Sequence, residues 1–137
     1  MAHWLVKSEP AKYSWEQMVK DGRTHWDGVH NFQAANNMKA MQEGDRAFFY
    51  HSNEGKEIVG VVEIVRPFYP NPDEPSDKFG LVDVAPVRPV AHPVTLATMR
   101  ETPELKGMAL IRQSRLSVCP VSDAEWAVIC RMAGIEA

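Results

Sequence analysis

The 137-residue sequence predicts one α+β domain, spanning residues 1–137, around a curved sheet of about six strands with short flanking helices. Three observations carry that expectation. Ala47-Phe48-Phe49-Tyr50-His51 and Glu57-Ile58-Val59-Gly60-Val61-Val62-Glu63-Ile64-Val65 are β-prone runs separated by a short Glu54-Gly55 turn, the pattern of a hairpin. Ser14-Trp15-Glu16-Gln17 and Ser122-Asp123-Ala124-Glu125 have the spacing of capping boxes, with Tyr13/Met18 and Val121/Trp126 at staple positions, so a helix should start at each. The chain shows no repeat or low-complexity segment, and its length suits one core without disulfides or metal.

In order, His3-Trp4-Leu5-Val6-Lys7 reads as a buried strand that Ser8-Glu9-Pro10 ends, because proline supplies no amide hydrogen. A helix follows from about Trp15 to Lys20 and stops at Gly22. From about Asn31, the residues Phe32, Ala35, Met38 and Met41 recur at intervals of three, which predicts a helix with that face in the core and an end near Gly44. Gly60, inside the strongest strand, marks a bulge, a bend or a close approach. Residues 67–77 hold Pro67, Pro70, Pro72 and Pro75 with Asp73, Glu74 and Asp77, the composition of an irregular loop. Phe79 to Val87 reads as a further strand continued by Arg88-Pro89-Val90, with Pro86 and Pro89 favouring an edge. A brief helix is expected over Thr95–Arg100, and residues 105–111 are expected to lead back toward the sheet. The last helix begins at Ser122 and stops at Gly134.

Composition narrows the function classes. Hydrophobic residues are 45% of the chain and charged residues 24%, which suggests neither disorder nor a membrane protein. Met1 to Lys7 lacks the pattern of an export signal, leaving the cytoplasm as the expected compartment. Cys119 and Cys130 match no zinc or redox spacing and read as buried small hydrophobes. The five histidines are scattered, so no metal and no cofactor is expected. A direct search finds no phosphate-binding glycine loop, dinucleotide fingerprint, His-Glu-x-x-His or Gly-x-Ser-x-Gly. A net charge of -3 argues against gripping long nucleic acid by bulk charge, yet residues 105–119 carry Lys106, Arg112 and Arg115 with no acid, so a local basic face is compatible with an acidic chain.

Trp26-Asp27-Gly28-Val29-His30-Asn31-Phe32-Gln33-Ala34-Ala35-Asn36-Asn37 concentrates recognition chemistry. An indole stacks on flat ligands, while amides and a carboxylate read hydrogen-bonding edges. A second reading stands beside it, in which Trp26 is core at the start of a helix and the amides are solvated. Lys7, Ser8, Asn31 and His51 fall at element ends, and Arg112 and Arg115 suit phosphates. Together with Trp26 they would make a pocket for one base plus a short backbone track.

Five ordered blocks carry a family resemblance: Trp4-Leu5-Val6-Lys7-Ser8-Glu9-Pro10; Trp26-Asp27-Gly28-Val29-His30-Asn31-Phe32-Gln33-Ala34; Gly44-Asp45 with Phe49-Tyr50-His51-Ser52; Ile58-Val59-Gly60-Val61; and Arg112-Gln113-Ser114-Arg115-Leu116-Ser117-Val118 with Pro120-Val121. Over nearly its whole length the chain resembles the EVE domain family, of the PUA-like superfamily and related to YTH readers of methylated RNA. The resemblance implies a PUA-like curved β-barrel and a non-enzymatic pocket for a modified base of DNA or RNA. By carry-over, Trp26 is a cage wall, Lys7, Ser8, Asp27 and Asn31 line the polar side, and Tyr50, His51 and Ser52 are neighbours. Arg112, Gln113, Ser114 and Arg115 take a rim or phosphate role. The family usually has arginine at His30, and Asn or Arg-Asn at Ala35-Asn36, so a phosphate contact at that helix start would be weakened here. Two rivals remain: an enzyme using His51 or Asp27 as acid or base, and an interaction module with a vestigial pocket.

Overall fold

Phe48 and Phe49 are both fully buried, which requires that a sheet be covered on both faces where they sit, because successive side chains of a strand point to opposite sides. Their strand, β3 (Arg46–His51), lies inside a six-stranded mixed sheet in a computed structural model that describes residues 2–26, 31–72 and 80–137. The strands are β1 (His3–Ser8), β2 (Thr24–Trp26), β3, β4 (Glu57–Pro70), β5 (Gly80–Thr95) and β6 (Val118–Val121), arranged β2-β5-β4-β3-β1-β6. β1 runs parallel to β3, with Leu5 beside Phe48 and Lys7 beside Tyr50; β6 pairs antiparallel outside β1.

The β3–β4 hairpin forms as expected, and the register slips repeatedly along β4, at Ile58/Gly60, Val61/Val62, Ile64/Arg66 and Arg66/Tyr69. Each slip bends and twists the ladder. The result is a curved sheet whose terminal strands, β2 and β6, are not paired with each other, so the expected barrel is unclosed. Gly60 serves a close approach as well as a bulge: a Cβ there would lie 2.5 Å from the Trp15 ring.

β4 continues through Pro67 to Pro70, where a loop was expected from residue 67. Beyond Ile64, which still exchanges backbone hydrogen bonds with Gly44 and Asp45, β4 pairs only with β5 among the described residues, so its prolines interrupt no second ladder there. Pro86 and Pro89 obey the same rule, since β2 covers only Val82–Val84 of β5 and the proline-bearing part has β4 as its single neighbour. Residues 73–79, including the acidic cluster and Phe79, lie outside the described residues.

The helices are α1 (Trp15–Asp21), α2 (Phe32–Ala40), α3 (Leu96–Arg100), α4 (Ala109–Arg112) and α5 (Asp123–Ala133), with a 3-10 turn at Pro103–Leu105. At α1 only half of the capping box forms: Ser14 accepts from the Gln17 amide, while the Gln17 side chain donates to Asp21. At α5 both halves form, and Gly134 ends the helix at φ 72°. α2 stops at Ala40, with Met41 as its cap, short of Gly44. Its buried stripe is Ala34, Ala35, Met38 and then Met41, whereas Phe32 is 59% exposed, so the expected core role of Phe32 is wrong. Phe32 opens α2 off the buried stripe, which begins two residues later at Ala34. Between the 3-10 turn that ends at Leu105 and α4, which starts at Ala109, residues 106–107 form a turn, and Leu105, Met108 and Leu110 are buried as the chain returns to β6.

A buried carboxylate ties the start of β1 to the turn before β3. Asp45 accepts from the Trp4 indole (3.1 Å), the Gln42 amide (2.9 Å) and the Ala2 amide (3.2 Å). Three donors on one buried acid satisfy its lone pairs and explain why it can lie in the core. A second buried acid, Asp83 of β5, accepts from Tyr69 of β4 (2.6 Å) and from Arg23 (3.0 Å), the residue preceding β2.

Candidate nucleic-acid interface

The ends of β1 and β3 position the candidate site. Ser52 donates its amide to the Ser8 carbonyl (2.9 Å), and Lys7 donates its amide to the Ser117 carbonyl (3.0 Å), so the polar ends of two strands and the chain before β6 are held together. Next to them lies a cavity of about 850 Å³. Lys7, Ser8, Trp26, Tyr50 and Ser52, all expected from the sequence, line it. This volume falls in the range of about 300–1,000 Å³ usual for small-molecule pockets.

Trp26 reaches the cavity from the end of β2. It is 8% exposed and meets Phe49 and Tyr13 edge to face, with centroids 5.7 and 6.5 Å away. The indole is thus both core and wall. Lys7 is half-buried, and its ammonium donates to the Ser114 carbonyl at 2.9 Å. Burial lowers its pKa from the ordinary value, against a smaller opposing influence of Cys119. Ser8 donates to the Tyr13 carbonyl at 2.6 Å. Tyr50 is 3% exposed; burial raises its pKa, only partly offset by Arg100, so its hydroxyl is protonated at neutral pH.

Two expected residues stand apart from this lining. The His51 Nε2 accepts the backbone amide of Trp15 at 3.1 Å, so the ring is engaged in holding the first turn of α1. Asn31 caps α2, accepting the Ala34 amide at 3.0 Å, and lines a shallower depression of about 310 Å³ with Gln33, Arg112 and Gln113. Ser114 and Arg115 line both hollows and connect them. Asp27 and His30 lie outside the described residues. Among the other amides, Asn37 donates to the Val118 carbonyl at 2.8 Å, a structural bond between α2 and β6.

Sequence reasoning missed Tyr13, Lys12, Lys56 and Arg100, all of which line the larger cavity. Lys56 precedes β4 and Arg100 ends α3, far apart in sequence, and no local motif links either to Trp26. The consequence is electrostatic. Lys7, Lys12, Lys56, Arg100 and Arg115 surround the cavity, against Glu9 as the one carboxylate among the described lining residues, and Glu9 pairs with Lys12 at 3.4 Å. An acidic protein therefore carries a cationic mouth, which favours an anionic ligand.

Cys119 is buried, donates to the Leu116 carbonyl and has its pKa pushed up to about 11, so it stays a thiol. Among the described residues no three His, Cys, Asp or Glu side chains converge in a way that would hold a metal ion, and no helix is long and apolar enough to cross a membrane.

The EVE domain family profile matches residues 2–132. The chain belongs to the EVE domain family. Thymocyte nuclear protein 1 of Homo sapiens is 35% identical over an alignment covering 91% of this chain and 71% of the human protein. An NMR structure of a protein from Rhodopseudomonas palustris is 52% identical, with a TM-score of 0.93 over 98% of this chain and 94% of that one. The crystal structure of human THYN1 in complex with DNA containing 5-methylcytosine superimposes with a TM-score of 0.90 at 32% identity, covering all of both chains. A YTH domain from Zygosaccharomyces rouxii, solved with N6-methyladenosine RNA, shares the fold at 14% identity and a TM-score of 0.58 over 99% of this chain and 89% of that one.

Proposed function

We propose that this protein is a non-enzymatic module that binds nucleic acid by taking a modified base, methylated or otherwise substituted, into the cavity beside Trp26. One observation carries the reading: a tryptophan wall and the polar ends of β1 and β3 share a cavity whose mouth is cationic on an otherwise acidic chain. The indole offers a stacking surface, Lys7, Ser8, Tyr50 and Ser52 offer polar contacts to the base, and the cations attract the backbone. Arg112, Gln113, Ser114 and Arg115, with Asn31, form the adjoining track for a flanking phosphate. Asp27 is assigned to the base side on the strength of the family pattern. The 32% identity to a protein solved with 5-methylcytosine DNA supports the class of ligand.

An enzyme using His51 is the weaker reading, since that ring is engaged with the Trp15 amide. Binding of defined modified and unmodified DNA and RNA oligonucleotides, measured at stated salt, tests the proposal. Trp26→Ala is expected to cost about 1–3 kcal/mol of affinity for the preferred modified strand. Affinity unchanged across the panel would refute the wall assignment, and chemically altered oligonucleotides after incubation with excess protein would refute the non-enzymatic one.

A further inference from the structure

We infer that a bound nucleic-acid strand leaves the cavity in one direction only, across Arg115 and Arg112, so that nucleotides on one side of the modified base add to binding and those on the other side do not. The inference rests on the reader assignment above and specifies how that site meets the rest of its ligand.

Beyond Lys7 and the Lys12–Glu9 pair, the cations around the cavity fall into two groups. Lys56 and Arg100 are joined through α3, whose first residue, Leu96, donates its amide to the Lys56 carbonyl at 2.8 Å. Arg115 follows α4, and with Ser114 it lines both hollows. The Lys7 ammonium donates to the Ser114 carbonyl at 2.9 Å, which fixes this shared border against β1.

The two groups have opposite surroundings. Glu54 and Glu57 flank Lys56, and Glu101 follows Arg100, so three carboxylates stand against two cations. Consecutive Cα atoms lie about 3.8 Å apart. Each acid is therefore within roughly one Debye length of its cation at ~0.1 M salt. A phosphate leaving past Lys56 and Arg100 meets at least as much negative charge as positive. Residues 105–119, by contrast, carry Lys106, Arg112 and Arg115 and no acid. The second hollow sets Arg112 beside Arg115 with no carboxylate among its described lining residues, and Gln33 and Gln113 add amide donors for phosphate oxygens.

The charge of the whole chain sharpens the contrast. Its net charge is -3 although the described linings of the two hollows hold six cations against Glu9, so the remaining surface is more acidic than the total and repels phosphates that stray from this path.

The test uses single-stranded DNA with one 5-methylcytosine or N6-methyladenine, or the unmodified base in its place, extended by four nucleotides on the 5′ side, the 3′ side, both or neither. Fluorescence anisotropy at several salt concentrations gives the affinities. For wild type, extension on one side should raise affinity at low salt at least about tenfold, the scale of one hydrogen bond to a charged group. Extension on the other side should change it by less than about twofold, as for exposed charges. The productive extension should steepen the slope of log affinity against log salt by about 1.4, for two phosphates neutralised. Arg112→Gln combined with Arg115→Gln should erase that gain, and both side chains are exposed, so the fold is retained. Combining Glu54→Gln, Glu57→Gln and Glu101→Gln should let the second side gain as well. Equal gains on both sides, no gain on either, or a one-sided gain that survives loss of both arginines overturns the inference. So does a second side that still contributes nothing in the carboxylate variant. Equal binding of modified and unmodified strands for both bases overturns the reader assignment itself, however the extensions behave.

Discussion

Trp126 and Trp26 are buried to similar extents, at 4% and 8% exposure, yet they are covered in different ways. Trp126 of α5 is sandwiched between parallel rings, Phe48 at 3.9 Å and His3 at 4.3 Å, so both of its faces are occupied by protein. Trp26 meets Phe49 and Tyr13 at interplanar angles of 83° and 85° and borders the cavity. Phe48 and Phe49 are consecutive, so one strand supports a closed aromatic stack on one face and an open one on the other. Burial alone does not separate a tryptophan packed on both faces from one that borders a cavity; the orientation of its neighbours does.

Deleting each ring is the strongest way to break that comparison. Trp126→Ala should cost about 3–5 kcal/mol in urea unfolding, the range for a fully packed aromatic. Trp26→Ala should cost less stability, because part of its surface borders the cavity, while losing affinity for the modified strand. Equal destabilisation with unchanged binding would make both rings core and erase the contrast. Gly60→Ala comes next. Its new methyl would meet the Trp15 ring at 2.5 Å and unseat α1, so a loss of about 1–3 kcal/mol is expected from overpacking. An Ala variant as stable as the parent would show that Trp15 moves freely.

The smallest effect concerns how β2, and with it Trp26, is held. Burial alone would raise the Asp83 pKa, but hydrogen bonds from Tyr69 and Arg23 outweigh it and hold the value below the ordinary 3.8. A depressed carboxylate contributes stability above its unfolded pKa and loses that contribution as pH falls through the lower folded value. Asp83→Asn should therefore be less stable than the parent at neutral pH. The gap should narrow in acid below about pH 4, where the parent carboxylate also takes up a proton. A gap independent of pH would mean that shape, not charge, secures β2.

Local signals were legible where a few adjacent residues determine geometry. Ser122 with Glu125, Gly22 and Gly134 as stops, and the hairpin after His51 all work through neighbours in the chain. Of the residues that the sequence singled out, Lys7, Ser8, Trp26, Tyr50 and Ser52 do line one cavity, and the five blocks that suggested the EVE family identified it. Phe32 was misread because an interval of three shows which residues share a face, without showing how far along the helix the core extends. Residues 105–111 yielded no element type because a short apolar run carries no decisive period.

By itself the sequence determined the β3–β4 hairpin, the first and last helices with their stops, and the family. It also determined that an acidic chain has basic residues to concentrate. Only the tertiary structure decided that Lys56 and Arg100 join Lys7 and Arg115 around one mouth, and that His51 is engaged with α1 while Tyr50 lines the cavity. The physical reason is range. Capping and alternation act over a few residues, whereas a site is set by which strand ends and helix ends the bulged, curved sheet brings within contact, and that depends on every register slip along β4 at once.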